Sequence, residues 1–273
     1  MNIHLGLKKK SLGIVFCSLL FLLGNYSKTV FAEVIAVEQE PRSFFSSTPT
    51  MTMYWPAKEP KATIVVVLGG GGAIGINQDT TAVRNQTANM LKILTDDTRS
   101  KSMINIVVFD SPFNLQQAGK DNSIAQRYSS DHLNRIENVM RFFKAKLQTP
   151  IWLMGHSNGS ISVAEFINRS EQNKKILNGA ILSGSRNEAR ISGAINFPFL
   201  FLHHENDSCP NTLVSSAKAH FDVVSSLNKA KTAFLLVKGG TAIGSVCTDG
   251  NHMYRDAYKE AASLIEDFVL ADR

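Results

Sequence analysis

Residues 151–159 read IWLMGHSNG, and residues 160–166 continue with SISVAEF. The first four residues form an apolar run typical of a buried strand, and the second segment carries apolar residues at helical spacing. Between them stands a G-x-S-x-G turn centred on Ser157, in the strand–turn–helix context that gives this motif its meaning. Side chains at Gly155 and Gly159 would strike the neighbouring strand and helix. The pattern predicts a strained serine that projects above the sheet edge.

Outward from this turn, short apolar, β-branched runs alternate with longer helix-patterned stretches, which favours βαβ units around a parallel sheet. Strands are expected at 64–68, 104–109, 151–154, 180–182, 197–202 and 233–237. Their nearly continuous apolar character is that of strands covered on both faces. Helices are expected at 80–94, 130–147 and 255–270, and an antiparallel lead-in strand at 52–55. The predicted fold class is α/β, with a mostly parallel central sheet and helices on both faces.

The first 32 residues differ from the rest of the chain. Lys8, Lys9 and Lys10 precede an uncharged apolar run at 11–24, and the segment closes on Val30-Phe31-Ala32. This order predicts a secretory signal peptide at 1–32 and one mature domain at 33–273, periplasmic or secreted. The alternative is an uncleaved anchor, but the apolar run is shorter than the roughly 20 residues that a spanning helix needs. No stable membrane insertion is expected after cleavage.

The basic character of the chain comes partly from this segment. The sequence pI is about 9.2 and the formal charge is +6, but four lysines and no Asp or Glu lie in residues 1–32, which leaves +2. No cluster of Lys and Arg elsewhere has the pattern of a nucleic-acid footprint. The sequence therefore gives no sign of a nucleic-acid partner.

Cysteine usage agrees with export. Cys17 would leave with the signal, so the mature chain keeps only Cys209 and Cys247. Two cysteines in an oxidising compartment are expected to pair. Such a bond would stabilise the fold by about 4 kcal/mol through the unfolded state. Two buried free thiols are the alternative.

A serine hydroxyl needs a base to become a nucleophile, and His252 is the candidate among seven histidines. It lies in a loop after the last expected strand and just before the final helix. The acid should follow the strand at 197–202, where Asp207 is favoured over Glu205, with Asp249 a weaker rival. Asp207 would hold the imidazole tautomer and stabilise its charged form.

Backbone N–H groups should supply the oxyanion hole. One is that of Asn158, directly after the candidate nucleophile. The other should come from the glycine run at 69–72, from Gly70 or Gly71, because this run follows an early buried strand. The register between these two glycines stays open.

The same glycines satisfy a rival motif, since residues 70–75 read GGGAIG and match the G-x-G-x-x-G dinucleotide fingerprint. That fingerprint also needs an acidic residue at the tip of the next strand. Asp96 and Asp97 are near the required position but follow a predicted helix. His203 and His204 are adjacent and lack the spacing of a zinc helix. Neither a cofactor nor a metal ion is expected.

Together the serine turn, the glycine run and the chain order Ser157, Asp207, His252 resemble the α/β-hydrolase superfamily over nearly all of 33–273. The glycine run is similar to the oxyanion loop of esterases and lipases but lacks the usual leading His. The cysteines, beside the acid and base loops, resemble those of a group of exported bacterial hydrolases.

The resemblance implies a serine hydrolase that forms an acyl-enzyme on a small ester, thioester or amide substrate. The stretch between Ser185 and Phe197 is too short for a helical lid, so an open or shallow site is expected. A non-catalytic binding protein on the same fold and an acyltransferase are the alternatives. The sequence does not determine the oligomeric state.

Overall fold

The computed structural model describes residues 32–39, 48–80, 83–95, 103–115 and 124–271. Within these ranges the strands are β1 Glu33–Val37, β2 Thr50–Trp55, β3 Ala62–Val67, β4 Ile104–Phe109, β5 Ile151–His156, β6 Gly179–Ser183, β7 Phe199–His204 and β8 Thr232–Val237. They form one eight-stranded sheet in the order β1-β2-β4-β3-β5-β6-β7-β8.

The sheet is mostly parallel. Strands β3 to β8 pair in parallel with their neighbours, and β1 and β2 join antiparallel at one edge. Every residue of β3 to β7 is buried, as expected of strands that are covered on both faces. Strand β8 closes the other edge and is half-exposed.

Helices cover both faces of the sheet. They are α1 Gln86–Lys92, α2 Ser130–Leu147, α3 Asn158–Arg169, α4 Glu171–Ile176, α5 Val214–Leu227 and α6 Tyr258–Leu270. Alternate residues of β3 point to opposite faces, with Val65 and Val67 among α2, α3 and α5, and Ile64 and Val66 among α1 and α6. The predicted α/β architecture with two helical layers is confirmed.

The element boundaries differ from the sequence predictions where capping chemistry intervenes. The helix expected from Thr80 begins only at Gln86, because the Asn85 side chain accepts a hydrogen bond from Ala88 N–H and caps it there. The final helix begins at Tyr258 and not at 255, because Tyr254 and Asp256 take left-handed backbone conformations. Strand β1 was not expected, and α2 has the predicted bounds.

Two features bear on access to the sheet edge. Residues 184–198, between β6 and β7, contain no helix or strand, so no lid domain rises from this loop. No helix in the described ranges combines the length and the apolar character that a membrane span requires. Of the expected signal peptide, only Ala32 lies within the described residues, so Cys17 and His4 lie outside them. Asp96 and Asp97 also lie outside the described residues.

Candidate active site

Ser157 occupies the turn between β5 and α3 in a conformation that L-residues rarely adopt, with φ 52° and ψ −126°. Such backbone strain costs about 1–3 kcal/mol and persists only where the surroundings enforce it. The surroundings here are tight: a Cβ at Gly159 would lie 2.0 Å from the Val67 carbonyl oxygen. A Cβ at Gly155 would lie 2.3 Å from the Gly159 carbonyl oxygen. Both positions therefore require glycine, and the chain presents Ser157 at the end of β5.

His252 and Asp207 meet on the neighbouring loops. The imidazole Nδ1 of His252 lies 2.8 Å from Oδ2 of Asp207, and both side chains are buried. The Nε2 atom of His252 is also buried and contacts no hydrogen-bond partner among the described residues. No hydrogen bond joins it to Ser157 Oγ in this structure, and bonds of this kind often tighten only when substrate binds. The free nitrogen is therefore available to a proton donor.

Gly184, at the end of β6, connects the serine turn to His252. The Ser157 N–H donates to the Ser183 carbonyl oxygen over 3.0 Å. A Cβ on the next residue, Gly184, would lie 3.2 Å from Cε1 of His252 and 3.0 Å from Cε1 of His156. The serine turn and the His252 ring thus pack against the same end of β6, which brings the three predicted residues to one edge of the sheet.

The Asp207 carboxylate is held by four donors. Oδ2 accepts from His252, from His203 Nε2 at 3.2 Å and from Thr212 Oγ1 at 3.0 Å, and Oδ1 accepts from Cys209 N–H at 2.9 Å. Burial alone would raise the pKa of Asp207, but the hydrogen bonds from His203 and His252 outweigh it and hold the pKa well below its usual range. The carboxylate is consequently ionised at neutral pH.

The rival carboxylates lie elsewhere. Glu205 is exposed, and its backbone N–H continues the pairing with Val237. Asp249 accepts from Arg255 Nη1 at 2.6 Å and caps the turn that carries His252. Of the three sequence candidates, the structure brings only Asp207 to the imidazole.

His156, beside the serine, is fully buried, and its ring centroid lies 5.1 Å from that of His252. Its Nδ1 contacts Ser183 Oγ at 3.0 Å and its Nε2 contacts Met253 Sδ at 3.3 Å. Burial, followed by the nearby His252, lowers the pKa of His156 well below its ordinary value. A neutral His156 adds no charge beside the base.

The glycine loop after β3 is fixed from behind by a buried arginine. Nη2 of Arg127 donates to the carbonyl oxygens of Leu68 and Gly70 over 3.1 Å and 2.8 Å. Its Nη1 donates to Ser162 Oγ on α3 over 3.0 Å, and the side chain is 1% exposed. Arg127 therefore ties the glycine loop to the helix that begins at the serine turn.

Further donors hold the remaining carbonyl groups of this loop. Leu115 N–H donates to Gly71 O over 2.8 Å, and Ser111 N–H donates to Gly72 O over 3.1 Å. In contrast, the N–H groups of Gly70 and Gly71 donate to none of the described residues. The first N–H groups of α3, starting with Asn158, likewise lack intrahelical acceptors. The two segments that the sequence predicts as oxyanion donors thus both offer free N–H groups.

Asp110, which the sequence analysis did not identify, anchors the far end of the glycine loop. Its buried carboxylate accepts from Ile74 N–H at 2.6 Å and from Ile76 N–H at 2.7 Å. Burial raises the pKa of Asp110, and the backbone hydrogen bonds partly offset that rise. Asp110 follows β4 directly, and this position at a strand end is the signal that could have identified it.

The dinucleotide interpretation of residues 70–75 lacks its structural context. In the fingerprint the glycines open a helix directly. Here the described residues between Leu68 and Asn85 form no helix, and α1 begins only at Gln86.

Among the described residues, no group of three His, Cys, Asp or Glu side chains is arranged to hold a metal ion.

The sequence matches no protein-family model and no curated protein, but many solved structures are similar. A dienelactone hydrolase from Anabaena variabilis has a TM-score of 0.57 at 10% identity, over 88% of this chain and 97% of that one. An α/β serine hydrolase without lid from Xanthomonas campestris has a TM-score of 0.53 at 9% identity, over 88% and 94%. An acylaminoacyl peptidase from Pyrococcus horikoshii has a TM-score of 0.56 at 13% identity, over 90% of this chain and 43% of that one. The chain has the α/β-hydrolase fold.

In this α/β-hydrolase fold a pocket of about 410 Å³ opens at the carboxyl ends of the strands. It is lined by the glycine loop, the serine turn, the disulfide and polar side chains: Gly69, Gly70, Gly71, Gly72, Ala73, Ile74, Asn85, Thr87, His156, Ser157, Asn158, Arg186, Cys209, Asn211, Thr212, Cys247, Thr248 and Met253. Ser157 and the free N–H groups of Gly70 and Gly71 therefore belong to one cavity.

The predicted disulfide between Cys209 and Cys247 is present. It joins the loop after β7, which carries Asp207, to the segment before His252. Cys209 N–H also donates to Asp207 Oδ1, so one half of the disulfide directly contacts the carboxylate.

His203, Thr212 and Arg186 line or support this candidate site but were not predicted. His203 Nε2 donates to the Thr212 carbonyl oxygen at 2.8 Å as well as contacting Asp207. The signal for His203 was its place at a strand end four residues before Asp207. Thr212 and Arg186 carry no comparable sequence signal, because their roles depend on loops that only the folded chain brings together.

Proposed function

We propose that this protein is a serine hydrolase that cleaves carboxylic ester bonds, and by the same chemistry thioester or amide bonds, through an acyl-enzyme on Ser157. The observation that carries the proposal is the state of His252. Its Nδ1 is bound to the buried carboxylate of Asp207, and its Nε2 has no hydrogen-bond partner among the described residues. The ring packs against the same end of β6 as the strained serine turn. A base, an orienting acid and a nucleophile in this relation are the parts of a catalytic triad.

In the proposed mechanism His252 Nε2 takes the proton of Ser157 Oγ as the oxygen attacks the carbonyl carbon of the substrate. The tetrahedral intermediate then collapses, and the imidazolium returns the proton to the departing alcohol. A water molecule, deprotonated by His252, attacks the acyl-enzyme and releases the carboxylic acid with Ser157 restored. Asp207, ionised throughout, keeps Nδ1 protonated and stabilises the imidazolium.

The developing oxyanion would be held by the N–H of Asn158 and by that of Gly70 or Gly71. Donors of this kind are worth about 3–4 kcal/mol of transition-state stabilisation each. The case for them is that the glycine-loop carbonyl groups already have donors, so the loop need not reorganise as charge develops. The positive end of the α3 dipole favours the same charge.

The substrate is proposed to be a small molecule. The pocket of about 410 Å³ suits a compact acyl compound, and the loop at 184–198 has no lid that would gate access to a lipid aggregate. The similar solved structures include a dienelactone hydrolase and a serine hydrolase without lid, which fits this substrate class.

We further propose that the protein is exported to the periplasm or the medium after cleavage following Ala32. The basic and then apolar order of the first residues supports this, and so does the disulfide, because such bonds persist in oxidising compartments.

The decisive experiment is labelling of purified residues 33–273 with a fluorophosphonate probe, beside the Ser157→Ala variant, with mass spectrometry to locate the adduct. The proposal expects one adduct on Ser157 that the variant lacks. Ser215, an exposed serine on α5, provides the control, since Ser215→Ala should keep the label. A folded, disulfide-bonded sample that takes no label would refute the proposed function.

A further inference from the structure

Arg186 places a cation in the wall of the candidate pocket. It follows β6, its side chain is 13% exposed, and it lines the same cavity as Ser157. Its backbone N–H donates to Ser160 Oγ over 3.0 Å, and Ser160 Oγ donates to the Ser157 carbonyl oxygen over 2.6 Å. The backbone of Arg186 is thereby fastened to the serine turn itself.

The guanidinium is held in one orientation. Nη1 donates to Asn158 Oδ1 over 2.6 Å, while Nε and Nη2 each donate to the Glu188 carboxylate over 3.1 Å. A guanidinium has five N–H donors, so these contacts leave two for another acceptor. Because Asn158 follows the nucleophile directly, the cation is coupled to the residue whose N–H is proposed to bind the oxyanion.

The lining of the pocket carries a positive charge. Among the described residues that line the cavity, Arg186 alone carries a formal charge. Behind the glycine loop lies a second cation, Arg127, whose hydrogen-bond acceptors are two carbonyl groups and one hydroxyl, with no described carboxylate among them. Burial, and then the charge of Arg186, lower the pKa of Arg127 to about 9, so it remains a cation at neutral pH. Glu188 is the one carboxylate that accepts a hydrogen bond from either arginine among the described residues, since the ionised Asp207 is held by other donors.

We infer that the substrate carries a carboxylate close to its scissile carbonyl and that Arg186 binds this group. The inference rests on the proposed function and specifies the substrate class of that site. An arginine fixed at a partly desolvated wall suits a planar carboxylate, which it binds through paired N–H groups. A neutral substrate would leave the two remaining N–H donors of Arg186 without a charged acceptor.

The carboxylate can belong to either half of an ester, and two substrate pairs separate these cases. On the alcohol side, 4-acetoxybenzoate is compared with 4-acetoxybenzamide. On the acyl side, the mono-4-nitrophenyl ester of adipic acid is compared with its methyl 4-nitrophenyl diester. For each pair the quantity measured is the ratio of kcat/KM for the anionic substrate to that for the neutral one. Intrinsic differences in leaving-group reactivity cancel when the ratios of two variants are compared.

The variants are Arg186→Gln, Arg186→Lys and Arg190→Gln. Arg190 is the matched control, because it is an exposed cation four residues further along the same loop and does not line the cavity. We expect Arg186→Gln to lower the ratio at least about fivefold in one pair. Arg186→Lys should retain only part of the ratio, since it keeps the charge but loses the paired N–H groups. Arg190→Gln should leave the ratio within about twofold. If Arg186 had only a structural role, its replacement would lower kcat/KM equally for the anionic and the neutral substrate.

The wild-type enzyme gives an independent test that needs no variant. Raising the salt from about 50 mM to about 500 mM should lower the anionic-to-neutral ratio modestly, because salt screens the approach of an anion from solvent but acts much less on a partly buried pair. The inference is overturned if Arg186→Gln and Arg190→Gln change the ratio to the same extent. Fluorophosphonate labelling of Ser157 in the same samples shows whether the proposed function still holds when the carboxylate inference fails.

Discussion

Oδ2 of Asp207 lies 2.8 Å from Nδ1 of His252, and it also accepts from His203 and Thr212. One carboxylate oxygen thus collects three side-chain donors, and only one of them belongs to the proposed base. This arrangement fixes which nitrogen of His252 carries the proton and leaves the other nitrogen free to act.

Replacing Asp207 with Asn should therefore lower kcat by about 10³–10⁴-fold. The amide can donate a hydrogen bond to Nδ1, which favours the tautomer with the proton on Nε2 and removes the base. Initial rates on 4-nitrophenyl acetate, with circular dichroism to check the fold, make the measurement.

Glu205→Gln is the matched control, because Glu205 lies two residues away and is exposed. Its rate should stay within about twofold of wild type, as expected for a surface substitution. Equal losses in the two variants would remove Asp207 from its assigned role.

The disulfide offers a second prediction, which separates positioning from simple stapling. Cys209 and Cys247 are 38 residues apart, and the loss of a cross-link of that span should lower the free energy of unfolding by about 4 kcal/mol. If the bond also positions Asp207 through the Cys209 N–H, kcat should fall at least about tenfold in the Cys209→Ser/Cys247→Ser protein, with KM little changed.

Urea unfolding and steady-state kinetics on the same double variant test both halves of this prediction. Wild-type protein treated with reductant should give the same values as the variant. A less stable protein with unchanged kcat would identify the disulfide as a staple with no part in positioning.

The sequence predicted most of this molecule because its decisive residues are local. The serine turn at 155–159 is specified by two glycines and a strand–helix junction, all within a few residues. The helix at 130–147 was predicted with its observed bounds, because its apolar residues recur at helical spacing and Ser129 caps it. Asp207 was chosen from its place after a strand, and the fold brings it to His252.

The sequence did not show the supports of the site, because they come from distant segments. Arg127 contacts Leu68 and Gly70 across 59 and 57 residues, and no pattern around Arg127 marks it as buried. A charged residue ahead of an amphipathic helix is ordinarily exposed to solvent. Only the folded chain, in which this arginine reaches the carbonyl groups of the glycine loop, shows what the side chain does.

Arg127 gives the third prediction. Its replacement by Met keeps much of the volume but removes the arginine donor from the buried carbonyl group of Leu68, while the exposed Gly70 keeps a hydrogen bond from Asn158 Nδ2. A buried carbonyl group without a donor costs about 1–3 kcal/mol, so we expect the free energy of unfolding to fall by about 2 kcal/mol. The rate of Ser157 labelling by a fluorophosphonate should also fall, because Gly70 and Gly71 lose their fixed orientation.

Arg141→Met is the control for this substitution, since Arg141 is exposed on α2 and, within the described ranges, pairs only with Glu137, one turn earlier. Its effect on stability should stay below about 1 kcal/mol, the usual worth of a surface ion pair. Thermal or urea unfolding compares the two variants, and an equal effect would contradict the structural role assigned to Arg127.

The last prediction concerns acid sensitivity and His132, a buried residue of α2 whose Nε2 lies 2.8 Å from Ser162 Oγ. Burial, followed by the charges of Arg127 and Arg135, lowers the pKa of His132 to about 3. An unfolded chain has an ordinary histidine pKa of about 6.5, so the unfolded state takes up the proton first as the pH falls. The stability contributed by neutral His132 is complete above about pH 6.5 and is lost progressively toward pH 3.

Between about pH 6.5 and pH 4.5, above the range in which Asp207 titrates in an unfolded chain, a single such group contributes a slope of up to about 1.4 kcal/mol per pH unit. His132→Gln, which keeps a polar group near Ser162, should reduce the dependence of unfolding free energy on pH by about that slope.

His220→Gln is the control, because His220 is only half-buried on α5 and its pKa is lowered less deeply. Urea midpoints at several pH values measure both slopes. Burial also lowers the pKa of His156, which contributes a slope of the same sign that remains in the variant. A His132→Gln slope equal to that of wild type would show that His132 does not remain neutral in the folded protein.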